Sequence, residues 1–405
     1  MRDLKAAWKS SALLAFAVVA VLVACQGDNA GGELPEVGDF REWDSAGVRI
    51  VEAPGEALLT VLPWEVDTVP DLELGEVESD GPEVFQSITG IVGLPDGGLV
   101  VLDAGSRELR WFDASGDHVG IAGGRGQGPG EFLNPVVLPQ FQSDSLLIFD
   151  RARRAFTWVA LDGSGERTAR PDGRLFVGTP QTATDSRAAF RSARPSGSCP
   201  ENEPCETSRV LRWVTLTGTL ADTLAVYPRR MLSFRESGLP AVLLGSPFDQ
   251  QGLAAMGPDG PVIEGDPHFE LRQFDREGGL IAIFRVDGPV RDQTEDALDR
   301  YLQASPDSDR MRRVYNLMGL PDVLPAFQAL HVDPLGWYWA ELFRPGEAEP
   351  SQWLVFDREG RARGIVELPR ELEVHDIGED YILGRWTDEL DVEYVRRHVL
   401  DRRRD

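Results

Sequence analysis

The sequence predicts an all-β chain assembled from one repeated four-stranded unit, and three observations carry that prediction. Residues 88–122, ITGIVGLPDGGLVVLDAGSRELRWFDASGDHVGIA, hold two strand-like runs around Pro95-Asp96-Gly97-Gly98, then Leu109-Arg110-Trp111-Phe112, a turn and a fourth run. Pieces of that unit return as DSLLIFDRARRAFTWVALDGSGE at 144–166, FELRQFDREGGLIAIFRV at 269–286 and WLVFDREGRARGIVEL at 353–368. A Phe/Leu-Asp-x-x-Gly turn recurs at Phe112-Asp113, Leu161-Asp162, Phe274-Asp275 and Phe356-Asp357. In such a turn an aromatic or leucine ends a buried strand, Asp accepts hydrogen bonds from the backbone and Gly supplies positive φ. Short alternating strands, four to a unit, repeating every roughly 40–50 residues, predict a β-propeller. A β-sandwich would not repeat one hairpin-plus-turn unit in tandem.

Six blades follow in chain order, at 84–123, 131–172, 173–228, 240–287, 325–368 and 371–400. The last supplies only three strands. Gly47-Val48-Arg49-Ile50-Val51-Glu52 is the upstream candidate for its fourth, since a strand from the other chain end would remove the open edge of the ring. Residues 58–74 add a further strand near this seam, in a place the sequence does not fix. The segment 291–319 breaks the β pattern. Asp292 and Glu295 read as a capping box, with Ala297, Leu298, Tyr301 and Leu302 on one helical face. Ser305-Pro306 starts a second helix striped by Met311, Val314, Tyr315 and Met318 and ended by Gly319. The predicted fold class is therefore all-β: a six-bladed β-propeller with a small helical insertion between blades four and five. That insertion is either a packed decoration or a lid over the channel mouth.

The chain starts differently. Arg2, Lys5 and Lys9 precede an apolar run from Ala12 to Ala24, a basic segment and hydrophobic core too short for a comfortable span. The run ends in Leu22-Val23-Ala24-Cys25, which resembles the lipobox of bacterial lipoproteins. The resemblance implies removal of residues 1–24 and acylation of Cys25, with 25–43 as a flexible tether, 44–400 as the propeller and 401–405 as a charged tail. The implied location is extracytoplasmic, lipid-anchored to a bacterial membrane, either the outer membrane facing the periplasm or the cell surface. The leader carries three bases and one acid, so the formal charge moves from −26 to −28 beyond it. Nucleic acid is an unexpected partner for such a chain. Beyond the leader there is no lysine, which excludes a Schiff-base or Walker-type lysine. Cys199 and Cys205, in CPENEPC, are expected to pair outside the cytoplasm. A metal site there would lack any local histidine.

The Gly-rich stretch GIAGGRGQGPGEF at 120–132 suggests a phosphate loop, yet no start within it gives glycines at i, i+2 and i+5, and no Gly-Lys follows. It reads as the connector between blades one and two. With Asp44-Ser45-Ala46-Gly47-Val48 and the Asp-x-x-Gly turns, this stretch is similar to the six-bladed propeller lipoproteins related to NHL-repeat and TolB-like propellers. That resemblance implies the fold and leaves the activity open.

Chemistry is sparse. There are five histidines, no HExxH and no Gly-x-Ser-x-Gly elbow. His118 and His398 fall in outer-strand patterns. His331 and His375 lie in first strands, which line a propeller's channel, with Asp333 and Asp376 beside them; alternation sets His331 and Asp333 on one face. These four are the candidate channel ligands, or histidines hydrogen-bonded in the wall. Trp337 and Trp339 read as core before sugar platform. No cofactor is expected. Calcium at Asp388, Glu389 and Asp391 stays open, without a supporting motif. The preferred function is a non-catalytic module binding a protein, peptide or glycan at the channel, attached to the membrane by its lipid. The rival is a lactonase- or lyase-like propeller enzyme, for which the resemblance implies a divalent metal held by Glu, Asn or Asp.

Overall fold

The computed structural model describes residues 34, 37–76, 81–171, 178–194, 199–235, 241–265, 267–288, 295–303, 308–346 and 350–402. The leader, Cys25 with its acylation, most of the tether, Asp292, Ser305-Pro306 and residues 403–405 lie outside them.

Among the described residues the strands form six sheets. Sheet one takes Ile88–Gly93, Leu99–Asp103, Glu108–Phe112 and His118–Gly123 in sequence order. Sheet two runs from Pro135–Leu138 to Glu166–Ala169, sheet three from Thr179–Ala183 to Val242–Gly245, and sheet four from Ala254–Met256 to Leu280–Asp287. Sheet five runs from Phe327–Val332 to Ala362–Leu368, and sheet six from Glu373–Ile377 to Glu393–Asp401. The first strand of each sheet packs against the first strand of the next, and that of sheet six packs against that of sheet one.

Alternation along the strands builds the walls between neighbours. In Ser145–Asp150 of sheet two, Leu146 and Ile148 meet Val100, Leu102 and Trp111 of sheet one. Leu147 and Phe149 meet Ala188, Phe190 and Val214 of sheet three. Ala189, Leu211 and Trp213 pack on Ile263 and Phe274 of sheet four. Leu271 and Phe284 pack on Ala340, Leu354 and Phe356 of sheet five. Trp353 and Val355 face Ile377 and Ile382 of sheet six. Leu383 and Val395 return to Leu99, Val101 and Phe112 of sheet one. Radial sheets joined by such a circuit of apolar seams make a β-propeller.

The turn chemistry matches the expectation. Asp113 accepts from the Ser115 and Asp117 N–H groups at 2.9 and 3.0 Å, and Asp275 from Glu277, Gly278 and Gly279 at 2.9, 2.8 and 2.8 Å. Gly116 and Gly278 take φ of +90° and +104°, a region costly for other residues.

Three boundaries need correction. Val242–Gly245 belongs to sheet three, where it pairs with Met231–Phe234. Val48–Pro54 does not close the ring: it runs parallel to the outer strand of sheet four, Val51 beside Phe284, and continues a hairpin begun by Arg41–Ser45. Its buried Val51 and Ala53 join the wall between sheets four and five, and Glu52 binds Arg285 at 2.7 Å. Sheet six is completed instead by Leu72–Leu74 and Glu65–Val66, both antiparallel to Glu393–Asp401. There Glu73 meets Arg396 at 2.6 Å and Asp71 meets Arg397 at 2.8 Å.

Helices α1 (Glu295–Gln303) and α2 (Ser308–Met318) bury the predicted stripes, Ala297, Leu298 and Leu302 with Val314, Tyr315 and Met318, against Leu232, Phe248 and Phe343. Gly319, at φ +70°, ends α2 with its N–H on the Tyr315 carbonyl at 2.9 Å. Cys199, in the connection after the second strand of sheet three, forms a disulfide with Cys205 at the start of the third. No helix among the described residues is long and apolar enough to cross a membrane.

The Gly-rich connector holds an anion of its own. The Glu131 carboxylate accepts the Gly128 N–H at 2.7 Å, and Phe132 N–H donates to the Gly124 carbonyl at 2.8 Å. The Arg153 guanidinium donates to the carbonyls of Glu131 and, at 3.3 Å, Gln127. The Gly128 amide is thus taken by a carboxylate of the chain itself.

Candidate functional site: the central channel

The six first strands enclose a cavity of about 1220 Å³ to which each contributes lining residues. His331, His375 and Asp376 line it and Asp333 does not. His331 stands 5.6 Å, centroid to centroid, from the Trp353 ring. Burial, and secondly the neighbouring His375, push its imidazole down to about 4. Burial likewise pushes His375 down to about 4, against the pull of Glu373. Both rings are therefore neutral near pH 7. The His375 Nε2 lies 3.8 Å from a Glu373 oxygen, beyond hydrogen-bond reach, and this buried nitrogen has no hydrogen-bond partner in the structure.

Asp376 adjoins His375 in sequence, so strict alternation would send one of them away from the channel. The pairing of sheet six shifts between Val374 and Asp376, leaving His375 as the extra residue of a bulge. That device re-aims a side chain and lets both residues line one wall. Asp376 also joins sheet six to sheet one by accepting the Gly93 N–H at 2.8 Å. Burial pushes its carboxyl up to about 6, against this bond and a 3.4 Å contact from the Tyr381 hydroxyl.

Asp333 is a correction. It sits just past the strand Phe327–Val332, where alternation gives way to a turn, and its carboxylate is fully buried. It accepts the Leu335 and Trp337 N–H groups at 3.0 and 2.9 Å and the Trp339 indole N–H at 3.0 Å, and pairs with Arg402 at 2.8 Å. Four donors leave it no capacity for a ligand. Trp339 is wholly buried there, and Trp337 packs at a tilt against Trp64 with centroids 5.1 Å apart; neither lines the channel. Asp388 is likewise a turn residue, accepting the Leu390 and Val392 N–H groups at 2.8 and 2.9 Å. His398 is buried with Nδ1 2.7 Å from the Asp67 carbonyl, and His118 packs edge-on to Phe112.

The sequence reading missed several lining residues, among them Gln181, Gln328 and Tyr381. It also missed a strap. The loop after the first strand of sheet two carries Gln142, whose side-chain amide donates to the Pro334 carbonyl in the turn of sheet five at 2.9 Å. Sheets two and five stand opposite each other in the ring, so this bond crosses one mouth of the channel. Gln142 holds φ +46° to make it, a conformation disfavoured for a residue with a Cβ. The helices contribute nothing to the channel lining among the described residues.

No group of three or more His, Cys, Asp or Glu side chains among the described residues is arranged to hold a metal ion. His331, His375 and Asp376 therefore do not fit the divalent-metal site that the resemblance implies.

No protein-family model matches the sequence, and no curated protein matches it. Among solved structures the chain is similar to a putative exported protein from Bacteroides fragilis, at 12% identity over 83% of this chain and 94% of that one, with TM-score 0.46. It is similar to a gluconolactonase from Xanthomonas campestris, at 17% identity over 78% and 88%, with TM-score 0.34. A third is a catalytically inactive virginiamycin B lyase from Staphylococcus aureus with quinupristin, at 12% identity over 84% and 99%, with TM-score 0.38. The propeller architecture itself follows from the circuit of sheets and seams.

Proposed function

We propose that this chain is a six-bladed propeller lipoprotein, with the α1–α2 pair inserted between blades four and five, acting outside the cytoplasm as a binding or scaffold module. Lipid on Cys25 holds it to a bacterial membrane, where acyl chains contribute about 0.8 kcal/mol per buried CH₂. One observation carries the binding role: a channel of about 1220 Å³ whose wall presents two neutral imidazoles and an acid, with the buried His375 nitrogen free to bond a guest. Large concave cavities with a few convergent polar groups are the usual ligand sites.

The lactonase- or lyase-like reading draws on a different observation. A carboxyl pushed up to about 6, such as Asp376, exchanges its proton near neutral pH, as general acid–base chemistry requires. Purified chain separates the two readings. Elemental analysis with thermal melting before and after EDTA is expected to show no stoichiometric metal and an unchanged midpoint. One Ca²⁺ or Zn²⁺ per chain with an EDTA-sensitive midpoint favours the enzyme. In the same expression series, Cys25→Ser is expected to move the protein out of the membrane fraction; persistent attachment overturns the lipid anchor.

A further inference from the structure

We propose that the channel takes an organic cation, an ammonium or guanidinium head on an apolar stem. This deepens the binding reading above and rests on it.

The channel wall mixes polar and apolar groups. Sheets five and six supply Gln328, His331, Glu373, His375 and Asp376 together with Leu330, Val332 and Val374, and sheets one, two and four add Val92, Val137, Ala254 and Met256. A guest that satisfies such a wall has one polar end and one apolar end.

Charge fixes the sign of the polar end. Arg397 is the only lysine or arginine among the described lining residues, while Asp71, Asp96, Glu373, Asp376, Glu379 and Asp380 all line the cavity. Arg397 is already engaged, bound to Asp71 at 2.8 Å and donating to the Gly97 carbonyl at 3.0 Å. A carboxylate or phosphate guest would enter a low-dielectric space with no free cation to meet it, at a high desolvation cost. Glu373 is already paired with Arg385 and Asp71 with Arg397, so an entering cation meets chiefly Asp376 in the wall and Glu379 and Asp380 beside it. The two imidazoles do not oppose it, because neutral rings carry no charge, and the bare Nε2 of His375 can accept an N–H.

Ring stacking argues against a sugar. Tyr381 is the only Phe, Tyr or Trp among the described lining residues, and its hydroxyl is turned to Asp376. The tryptophans nearby are spent in the seam between sheets five and six. The cavity, about 1220 Å³, admits either a free amine or the side chain of a lysine- or arginine-bearing peptide. The chemistry at the wall is the same for both.

Calorimetric titration of the mature chain at pH 7.5 and low salt tests this with three near-isosteric probes: phenethylamine, 2-phenylethanol and phenylacetate. The amine is expected to bind at least tenfold more tightly than the alcohol, phenylacetate to give no binding heat, and added salt to shrink the amine's advantage. Asp376→Asn is expected to remove most of that advantage while leaving the alcohol unchanged, and Glu373→Gln, which releases the Arg385 guanidinium from one of its two acids, to lower it as well. Asp376 also holds Gly93, so Glu379→Gln, at an exposed turn, provides a variant that does not threaten folding; it is expected to lose about threefold. A blocked Gly-Phe-Lys-Gly peptide matching phenethylamine assigns the cation to a peptide side chain. Binding of the free amine alone assigns it to a small molecule. Equal binding of amine and alcohol, or tighter binding of phenylacetate, overturns the cation preference and leaves the channel a binding site. Absence of heat from all three probes on folded protein overturns the inference outright, while metal analysis and fractionation still judge the broader reading.

Discussion

Val48–Pro54 and Leu72–Leu74 both lengthen a sheet, and the longer, more strand-like of the two is not the one at the ring-closing seam. Val48–Pro54 offers alternating Val48, Ile50 and Glu52 on one side and Arg49, Val51 and Ala53 on the other. Leu72–Leu74 is three residues long, with a charge between two leucines. Yet the short segment pairs with Glu393–Asp401, inserts Leu72 and Leu74 between sheets six and one, and sets Glu73 and Asp71 against Arg396 and Arg397. Local propensity says that a segment will be a strand. Which edge it joins is decided by the side chains that edge already presents, here two adjacent arginines. Sheet four offers Val48–Pro54 a different match, Arg285 for Glu52 and an apolar groove for Val51 and Ala53.

The largest way to break this contrast is at the seam. Leu74 is almost wholly buried among Leu99, Val101, Phe112, Leu383 and Val395. Leu74→Ala is expected to cost about 3 kcal/mol, as lost burial plus a cavity, with a proportionate drop in the urea midpoint. Because the strand joins the two ends of the chain, the transition is expected to stay cooperative but shift as a whole. A loss under about 1 kcal/mol would mean that the ring holds without this strand.

Proton linkage sharpens the comparison from the sheet-four side. Glu264, at the end of the second strand of sheet four, accepts the Leu253 N–H at 3.0 Å where that sheet begins. Asp103 and Asp150 make the same latch in sheets one and two, accepting Ser87 and Leu133 N–H groups at 2.9 and 2.7 Å. Burial pushes Glu264 up from 4.5 to about 7. Between those values the folded chain holds a proton that the unfolded chain has released, so stability falls as pH rises through that window. Asp249 and Asp376, each raised to about 6, act in the same direction. His331 and His375, lowered to about 4, act in the opposite one, losing stability as pH falls from 6.5 toward 4. Glu264→Gln keeps an acceptor for Leu253 and removes the ionisation, so it is expected to stabilise the chain by about 2 kcal/mol at pH 8. The gain is expected to vanish near pH 4.5, measured by urea denaturation at both values.

Much of the fold was legible because its rules are local. Alternation located the strands, Asp-x-x-Gly located the turns, and periodic Leu, Val and Tyr located both helices. The same local rule, applied once more, would have placed Asp333 correctly: Asp333-Pro334-Leu335-Gly336 repeats the Asp-x-x-Gly pattern, with Gly336 at φ +82°. Asp388 to Asp391 is a disguised version, in which Asp391 takes the glycine's place at φ +61°. What no local rule could supply was non-local. The bulge that brings His375 and Asp376 to one wall depends on how a partner strand registers. The Gln142 strap depends on a turn 192 residues away. The choice between two N-terminal strands depends on arginines at the far end of the chain.

The smallest expected effect lies at the outer edge of sheet four. Arg41–Ser45 is exposed at every position and forms the edge strand of the sheet among the described residues. Trp43 is 38% exposed and gains mainly from the Arg285 guanidinium, 5.3 Å from its ring centroid. Exposed cation–π pairs contribute about 0.5–1 kcal/mol, so Trp43→Ala is expected to lower stability by no more than about 1 kcal/mol. Arg285 also pairs with Glu52 at 2.7 Å, so Arg285→Ala should cost more than Trp43→Ala, and the double variant less than the sum of the two. A loss from Trp43→Ala as large as that from Leu74→Ala would mean that the hairpin, and not the charged triplet at sheet six, is the segment on which the ring depends.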